Sequence, residues 1–239
     1  MNNGHIYPGQ ELALFEKATN WKKYFARLIM PLLKGRVLEA GAGIGGTTQL
    51  LNNDSAAEWL LLEPDPSMYE QLMEKISSGS LPANCRAKKE TVADLSETTF
   101  FDCIIYIDVL EHIADDTREI EIASRHLKPE GHLIVLSPAF NFLMNPFDKA
   151  IGHYRRYSKK TLSKLQPPGF QSEKLLYMDS MGFFASLVNK LLLKQSYPTH
   201  KQVQWWDKRL IPVSKITDRI FFYSFGKSIL AVWKKNQAS

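Results

Sequence analysis

The sequence is poor in cysteine and has no long apolar run. Its two cysteines, Cys85 and Cys103, lie in apolar stretches, which favours buried thiols in a reducing compartment over a disulfide framework. The apolar segments 28–33 and 181–193 are too short to cross about 30 Å of hydrocarbon. The beginning of the sequence lacks the basic stretch and the apolar segment of a secretory signal. These absences predict a cytoplasmic protein that does not cross a membrane.

Other absences narrow the choice of partners. The sequence has no arginine-rich run, no aromatic RNA-binding signature and no cluster with zinc-ligand spacing, so it gives no support to a nucleic-acid partner. It also has no internal repeat and no low-complexity stretch. With 239 residues and 44% hydrophobic content, the chain is long enough for one domain, and we expect residues 1–239 to form it.

Charge is divided unevenly along the chain. Residues 1–148 contain 13 Lys and Arg against 21 Asp and Glu, whereas residues 149–239 contain 17 against 4. This excess of positive charge favours an anionic neighbour for the later part, such as a phosphorylated substrate, an anionic membrane surface or nucleic acid. The alternative is a solvated basic face that has no partner.

Short apolar stretches alternate with helical segments before residue 140. The stretches that predict strands are 36–39, 58–62, 85–87, 101–107 and 132–137. The segments that predict helices are 11–33, 46–53, 66–78 and 116–127. This alternation predicts an α/β fold with a parallel sheet that is wound on both faces, and ligands of such sheets bind at the carboxyl ends of the strands.

The pattern changes after Pro146. The later elements are predicted helices at 158–166, 180–194 and 206–225 and predicted strands at 173–178 and 228–234. They bring the sheet to seven, mostly parallel, strands, and we interpret them as an elaboration of the same domain. The segment 183–192 has one apolar helical face with basic residues nearby, for which core packing is favoured over peripheral contact with a membrane or a lipid tail.

The most informative pattern is an apolar strand that ends in an acid and runs into alternating glycines. Glu39 is followed by Gly41, Gly43 and Gly45, which predicts a tight turn whose backbone can approach a nucleoside-bearing cofactor. Gly41, Gly43 and Gly46 also match the spacing G-x-G-x-x-G. The glycines alone therefore leave nicotinamide, flavin and S-adenosylmethionine (SAM) as candidates.

Two acids help to choose among these cofactors. Glu63 closes the second strand, 22 positions after Gly41, where a carboxylate can accept hydrogen bonds from both ribose hydroxyls of NAD or SAM. Glu39 lies beside the turn, where it can bind the ammonium of an amino-acid tail but would repel a pyrophosphate. Glu39 therefore favours SAM.

In four segments the chain resembles the class I SAM-dependent methyltransferases. The matching segments are Glu39–Gly45, Leu62–Asp65, Phe101–Ile113 and Leu127–Leu133. The resemblance implies a Rossmann-like methyltransferase fold with helical elaborations at both ends. It further implies a helical lid over residues 1–34, a SAM-binding core over 35–140, and an acceptor-side elaboration with the last strands over 141–239.

The resemblance also implies which residues bind SAM. Thr91 and Val92 would flank the adenine, and Asp108 with Val109 would line the methionine end. The expected cofactor-binding residues are Glu39, Gly41, Ala42, Gly43, Gly45, Glu63, Pro64, Thr91, Val92, Asp108 and Val109.

A loop of the form GHYRRYS is similar to that of a bacterial subgroup of these enzymes. Within it, His153 is a candidate base for a hydroxyl acceptor, whereas Arg155 or Arg156 could hold a carboxylate acceptor by a bidentate pair. These three residues and Tyr157 are the expected catalytic residues. The alternative is that the arginines support Asp148 or the ends of helices.

A metal site at Glu111, Asp115 and Asp116 is conceivable. Carboxylates at the start of a helix more often complement the helix dipole, so no metal is predicted. For His112, beside Glu111, a structural or cofactor-loop role is favoured over catalysis.

The function expected from these observations is SAM-dependent methyl transfer to an oxygen, and less readily to a nitrogen. The acceptor is expected to be a small molecule or a lipid- or sugar-linked metabolite, anionic and partly hydrophobic. The alternative is a non-catalytic protein that binds SAM or a nucleotide and acts as a regulator or partner; the retained acids and glycines argue against it.

Overall fold

The computed structural model describes residues 14–52, 55–193 and 197–237, and its centre is one sheet. The strands are β1 (Gly35–Ala40), β2 (Ala56–Leu62), β3 (Cys85–Lys88), β4 (Phe101–Ile107), β5 (Leu127–Pro138), β6 (Phe170–Met178) and β7 (Ser228–Lys235). Their order in the sheet is β3-β2-β1-β4-β5-β7-β6. β7 runs antiparallel to β5 and β6, and the other neighbours are parallel. The predicted α/β fold with a mostly parallel sheet of seven strands is confirmed.

Helices cover both faces of this sheet. They are α1 (Thr19–Ile29), α2 (Thr48–Leu51), α3 (Pro66–Ser77), α4 (Asp116–Arg125), α5 (Pro146–Ala150), α6 (Lys159–Leu162), α7 (Ser180–Val188), α8 (His200–Trp205) and α9 (Ile211–Ile220). A wider helical turn, Trp206–Leu210, joins α8 to α9, so that the two form one continuous rod. Tighter single turns lie at Met30–Leu32, Val92–Asp94, Leu110–His112, Asn141–Leu143 and Ser163–Leu165.

Alternating side chains along the strands divide the core into two layers. Val37 and its neighbours on one face pack with Phe25 of α1 and Leu72 of α3. Leu38 on the opposite face belongs to the layer that contains Ile120 of α4. Because both faces are buried, the inner strands are continuously apolar, as strands of a doubly covered sheet must be. Cys85 and Cys103 are buried free thiols, as predicted.

Several boundaries differ from the prediction for local reasons. β5 begins at Leu127 rather than at 132, because Leu127 pairs with Phe101 before the register shifts and pairing resumes at His132. The shift is accommodated at Glu130, whose φ is +64°. The short helix α5 was not predicted; Asn145 caps it, accepting hydrogen bonds from the first backbone N–H groups of the helix.

The leading helix is shorter than predicted. One helix was expected over residues 11–33, and α1 covers Thr19–Ile29 of that range. Residues 11–13 of that prediction lie outside the described residues. Asp207 caps the beginning of α1, accepting from the backbone N–H groups of Asn20 (3.2 Å) and Trp21 (2.8 Å). In the middle of α1, the Tyr24 hydroxyl donates to Asp218 at 2.8 Å. These contacts fasten α1 to the α8–α9 rod, and the division of the chain at residues 34 and 140 stays a prediction.

No helix within the described ranges is both long and apolar enough to cross a membrane.

Candidate active site

The carboxyl ends of β1 and β4 lie side by side in the middle of the sheet. The chain leaves β1 toward one edge of the sheet and leaves β4 toward the other, and such a reversal creates a crevice for ligands. A cavity of about 900 Å³ opens at this place, and we call it the central cavity. Residues from α1, α7 and α8 line its far side. Its volume lies toward the upper end of the range of about 300–1,000 Å³ for small-molecule sites.

The turn after β1 requires glycine at position 41. Gly41 has a φ of +65°, and a Cβ on it would lie 2.7 Å from a methyl carbon of Val109. Both the backbone conformation and the packing therefore exclude a side chain. Gly45 differs, because it does not line the cavity; a Cβ there would lie 2.9 Å from Leu72 behind the turn. The structure therefore places Gly45 in support of the turn and the other predicted glycines at the cavity.

Glu63 connects the end of β2 to this turn. Its carboxylate accepts from the backbone N–H of Gly43 at 2.7 Å and of Asp65 at 2.9 Å. Burial raises the pKa of Glu63, and the two backbone donors oppose that shift. The carboxylate is thus fixed at the cavity wall with acceptor capacity left for a ligand's hydroxyl groups.

Glu39 is buried at the end of β1. One of its oxygens accepts from the Thr48 hydroxyl at 2.8 Å and from the Trp59 indole N–H at 3.0 Å. Burial raises the pKa of Glu39 to about 7, while these two donors and the nearby Lys22 ammonium hold it lower than burial alone would. A cationic group in the cavity would shift Glu39 further toward its ionised form.

Thr91 and Val92 line the central cavity, as do Pro64 and Ala42. Thr91 begins a short turn in which its backbone N–H and its hydroxyl both donate to Asp94, at 2.8 Å and 2.7 Å. Val92 is buried. The backbone N–H of Glu63 donates to the carbonyl of Lys88 at the end of β3, so Thr91 and Val92 lie at the same end of the cavity as Glu63.

Asp108 follows β4 with a φ of +54° and is open to the interior of the cavity. The enclosing protein raises its pKa to about 6, although the nearby His153, Lys227 and Lys22 each favour the ionised form. Lys22, which was not predicted, reaches in from α1, and its ammonium donates to the carbonyl of Gly46 at 3.0 Å. The Lys22 ammonium is therefore near the carboxylates of Glu39 and Asp108 at the glycine turn.

The GHYRRYS loop, which contains His153 and Arg156, forms the other end of the central cavity. His153 Nδ1 lies 2.9 Å from Asp148 Oδ1. Asp148 also accepts from Arg156 Nη2 at 2.8 Å and 2.9 Å, from Arg156 Nε at 3.0 Å and from the backbone N–H of Asn145 at 2.8 Å. The His153 and Arg156 partners hold the pKa of Asp148 below its ordinary value in spite of burial. Asp148 is thus an ionised carboxylate that orients His153.

His153 meets Glu111 and His112 on the cavity wall. The two imidazole rings contact edge to face with centroids 4.5 Å apart, and His153 Nε2 lies 3.8 Å from Glu111 Oε1. Burial raises the pKa of Glu111 well above its ordinary value, and Asp108 adds to the shift. Burial lowers the pKa of His112 to about 4. In the described part of the chain, these three residues are the group whose side chains could hold a metal ion.

Arg155 and Tyr157, two of the predicted catalytic residues, do not line the central cavity. The Arg155 guanidinium pairs with Asp116 at 2.7 Å and donates to the carbonyls of Ile113 and Ala114. The Tyr157 hydroxyl donates to Asp116 at 2.7 Å. These contacts brace the start of α4, which is the structural role that was the alternative for the arginines.

The comparisons with known proteins agree with this geometry. The model of a methyltransferase domain matches residues 15–170, about two thirds of the chain. The chain belongs to the SAM-dependent methyltransferases. Its cofactor is therefore SAM, and the alternative of a nicotinamide cofactor is set aside.

Solved structures share the fold at low sequence identity. A SAM-dependent methyltransferase from Clostridium acetobutylicum is 12% identical, with a TM-score of 0.61 over 95% of this chain and 98% of that one. A coclaurine N-methyltransferase bound to N-methylheliamine and SAH is 12% identical, with a TM-score of 0.62 over 91% and 72%. The StiE O-methyltransferase region is 14% identical, with a TM-score of 0.57 over 92% and 74%. The comparison with curated proteins finds no sequence match.

The methyltransferase also has an aromatic wall that the sequence did not reveal. Its members come from α1 and the residues just before it, from α5, and from the α8–α9 rod and the residues just before it. They are Phe15, Trp21, Phe147, Tyr197, Trp205 and Trp206. Lys227, before β7, places its ammonium 4.6 Å from the Trp206 ring centre. Helical spacing marks the residues of this wall as apolar but cannot distinguish a cavity wall from a core, so no signal in the sequence identifies them.

Proposed function

We propose that this methyltransferase transfers the methyl group of SAM to a hydroxyl oxygen of a partly hydrophobic acceptor, and that His153 activates this hydroxyl. The observation that carries the proposal is the contact of 2.9 Å between His153 Nδ1 and the ionised Asp148. This contact orients the imidazole and leaves Nε2 directed toward the cavity wall at Glu111. An oriented histidine of this kind suits the removal of a proton from an acceptor.

The transfer itself needs little covalent chemistry from the protein. The acceptor oxygen forms a bond to the methyl carbon while the carbon–sulfur bond breaks, and its electron pair stays on sulfur to give the thioether of S-adenosylhomocysteine. The hydroxyl proton leaves toward His153. Alignment of oxygen, carbon and sulfur is the main contribution of the cavity, and an uncharged hydroxyl adds the need for activation.

The loop arginines support a hydroxyl acceptor over a carboxylate. Arg156 is buried and is neutralised by Asp148, and Arg155 pairs with Asp116 outside the cavity. Neither guanidinium is left with a bidentate face for a carboxylate acceptor. The acceptor's apolar portion would lie against the aromatic wall.

An exposed apolar face supports a lipid-linked acceptor. Its members on the α7 side are Phe184, Val188, Leu191 and Leu192, and on the α9 side Val213, Ile216, Ile220, Phe221 and Phe222. Rings of Phe184 and Phe221 both contact Phe225, which joins the two sides. Ala185 and Ser186 of the same α7 line the central cavity. An acceptor that rests on the apolar face would thus be next to the site of transfer.

The charge around this face fits an anionic membrane surface. Three of the four acids after residue 149, Asp179, Asp207 and Asp218, are buried, so they do not offset the surface lysines and arginines of this region. Exposed apolar side chains among cations are typical of peripheral membrane contact. We include such contact in the proposed function.

The first experiment supplies methyl-labelled SAM and an extract of the source cell. The extract is then separated into lipid, aqueous, glycan and protein fractions. We expect label in the lipid fraction, and its loss in His153→Ala but not in His132→Asn, a histidine on β5 that pairs with Glu173 instead. Label on amines, or label that His153→Ala leaves unchanged, would contradict the proposal. SAM binding without label in any fraction would favour the regulator alternative.

A second experiment tests the membrane contact with vesicles. We expect the protein to sediment with phosphatidylglycerol vesicles and to lose this binding in Leu192→Glu and Ile216→Glu, whose residues are 75% and 62% exposed. The control Thr98→Glu lies on an exposed loop before β4, at the opposite end of the strands. Equal binding by all three variants, or by none including the parent protein, would refute the contact.

A further inference from the structure

We propose that Glu111, His112 and His153 bind a divalent transition-metal ion in the central cavity. One ligand atom from each residue lies within 4.8 Å of the others. The separation of 3.8 Å between His153 Nε2 and Glu111 Oε1 is close to the roughly 3.4 Å between two ligands on a tetrahedral Zn²⁺. It is too long for a hydrogen bond, so the two groups do not satisfy each other.

The Glu111 carboxylate gives independent support for the site. It is fully buried, and neither of its oxygens has a hydrogen-bond partner. The Ser137 hydroxyl is near enough to favour ionised Glu111, but it makes no hydrogen bond of normal geometry and is itself buried without a partner. A buried carboxyl group without hydrogen-bond partners is costly in either protonation state, and a bound cation would displace its proton and compensate the carboxylate.

Both histidines are prepared as ligands by second contacts. The His153 ring bonds Asp148 through Nδ1, and the backbone carbonyl of Ile151 lies near enough to the His112 ring to raise its pKa. Metal-binding histidines commonly have such a carboxylate or carbonyl partner, which fixes the ring and leaves the other nitrogen for the metal. Asp148 is held in turn by Arg156, so the support extends one contact further.

The donor set indicates which ions fit. Two imidazoles and one carboxylate suit Zn²⁺ and Fe²⁺, whereas Mg²⁺ prefers oxygen ligands and retains its water. Three protein ligands leave a position open, as in catalytic sites. All three residues line the central cavity, so this position faces the space assigned to the acceptor.

The role of the ion rests on the proposed function, although its binding does not. With an ion bound, His153 Nε2 would be a metal ligand and would no longer be the proton acceptor described above. The ion would take the acceptor hydroxyl as its fourth ligand and lower the pKa of that hydroxyl, and the proton would leave to water in the cavity. The resulting oxyanion would then attack the methyl carbon as described above. His153 would thus activate the hydroxyl as a metal ligand.

The binding test is a titration of chelator-treated protein with ZnCl₂ in competition with a chromophoric chelator. We expect one equivalent to bind, with affinity reduced at least tenfold in Glu111→Gln and in His112→Asn, and unchanged in His132→Asn. Circular dichroism and calorimetric SAM binding would show that the variants are folded. No bound equivalent in the parent protein, or equal affinity in all variants, would overturn the site.

The activity test uses the same samples. Treatment with chelator is expected to abolish methyl transfer, and Zn²⁺ or Fe²⁺ but not Mg²⁺ to restore it, while SAM binding stays constant. Full activity after the metal has been removed would overturn the role of the ion. If no methyl transfer occurs under any condition, the proposed function fails, but the ZnCl₂ titration still decides whether the site exists.

Discussion

The two ends of the central cavity are held in place in different ways. At the SAM end, the carboxylate of Glu63 is fixed by the backbone of the neighbouring turn, and the turn itself depends on glycine. At the acceptor end, Asp148 gathers donors from His153 and Arg156. The SAM end is therefore built from short motifs, and the acceptor end from side chains brought together by folding.

The helices on the far side of the cavity, which we call its cover, are also held together by side chains from distant segments. Asp218 accepts from the Tyr24 hydroxyl of α1 and from the backbone N–H groups of Asp179 and Ser180 at the start of α7. Asp207 caps α1 from the α8–α9 rod. Buried carboxylates thus join segments that are distant in the sequence. We conclude that changes at the SAM end should act locally, whereas changes in the cover should act on the whole fold.

The largest effect is expected from Asp218→Ala. It leaves three donors, two of them backbone N–H groups, without a partner in a buried place, and breaking such a network typically costs about 3–5 kcal/mol. Urea unfolding should show this loss in the free energy of unfolding. Asp102→Ala is the control, because its Lys128 pair is half-exposed and should cost far less. Equal losses of unfolding free energy in the two variants would contradict a special role for the buried carboxylates that join the helices.

Gly41→Ala should weaken SAM binding by roughly 100-fold, because left-handed strain and the clash with Val109 each cost about 1–2 kcal/mol. Gly79→Ala is the control, since Gly79 has a φ of +71° and nothing within 4 Å of a Cβ, and it does not line the cavity. Calorimetry should find SAM affinity unchanged in Gly79→Ala. If both variants bind SAM as the parent does, the turn does not contact the cofactor.

Asp148→Asn should lower kcat about 10–100-fold, since Asp148 is a positioning residue for His153. The KM for SAM should change little, and the pH profile of kcat should move, which a purely structural loss would not do. Asp116→Asn removes the corresponding partner of Arg155 outside the cavity. Its kcat should stay within about twofold of the parent, and a loss as large as that of Asp148→Asn would refute the distinction between the two arginines.

Glu39→Gln should have the smallest effect, and in opposite directions for stability and binding. Since folding raises the pKa of Glu39 from 4.5 to about 7, its stabilising contribution is present below pH 4.5 and is lost as pH rises through 7. At pH 8 the variant should therefore be more stable than the parent, by roughly 1–3 kcal/mol. SAM affinity should fall about tenfold, because the ammonium loses its carboxylate. Denaturant unfolding at pH 5 and pH 8 checks the stability, and calorimetry checks SAM affinity. A variant that is no more stable than the parent at pH 8 would contradict the raised pKa of Glu39.

Sequence patterns predicted the sheet and most of the SAM end. Strands that are buried on both faces are continuously apolar, and the apolar stretches of β2, β4 and β5 were recognised on that basis. The glycine turn and Glu63 are separated by one helix and one strand, so their meeting follows from the alternation of elements. The start of β5 was misplaced because a register shift within a strand pair leaves no periodic signal.

The acceptor end could be predicted only in part. The sequence identified His153 and Asp148, but grouped Glu111 with Asp115 rather than with His153. In the structure Asp115 caps α4, and Glu111 turns into the cavity to meet the loop after β5. Lys22 was missed because α1 crosses the glycine turn only after it packs on the sheet.

The sequence by itself determined the alternation of strands and helices, the glycine turn and the acids at two strand ends, because these depend on residue types at short spacing. The tertiary structure alone decided which arginine faces the cavity, which acids are buried in the cover, and that Glu111, His112 and His153 share one wall. The reason is physical: backbone geometry is a local property of the chain, whereas the neighbours of a buried charge depend on how distant segments pack.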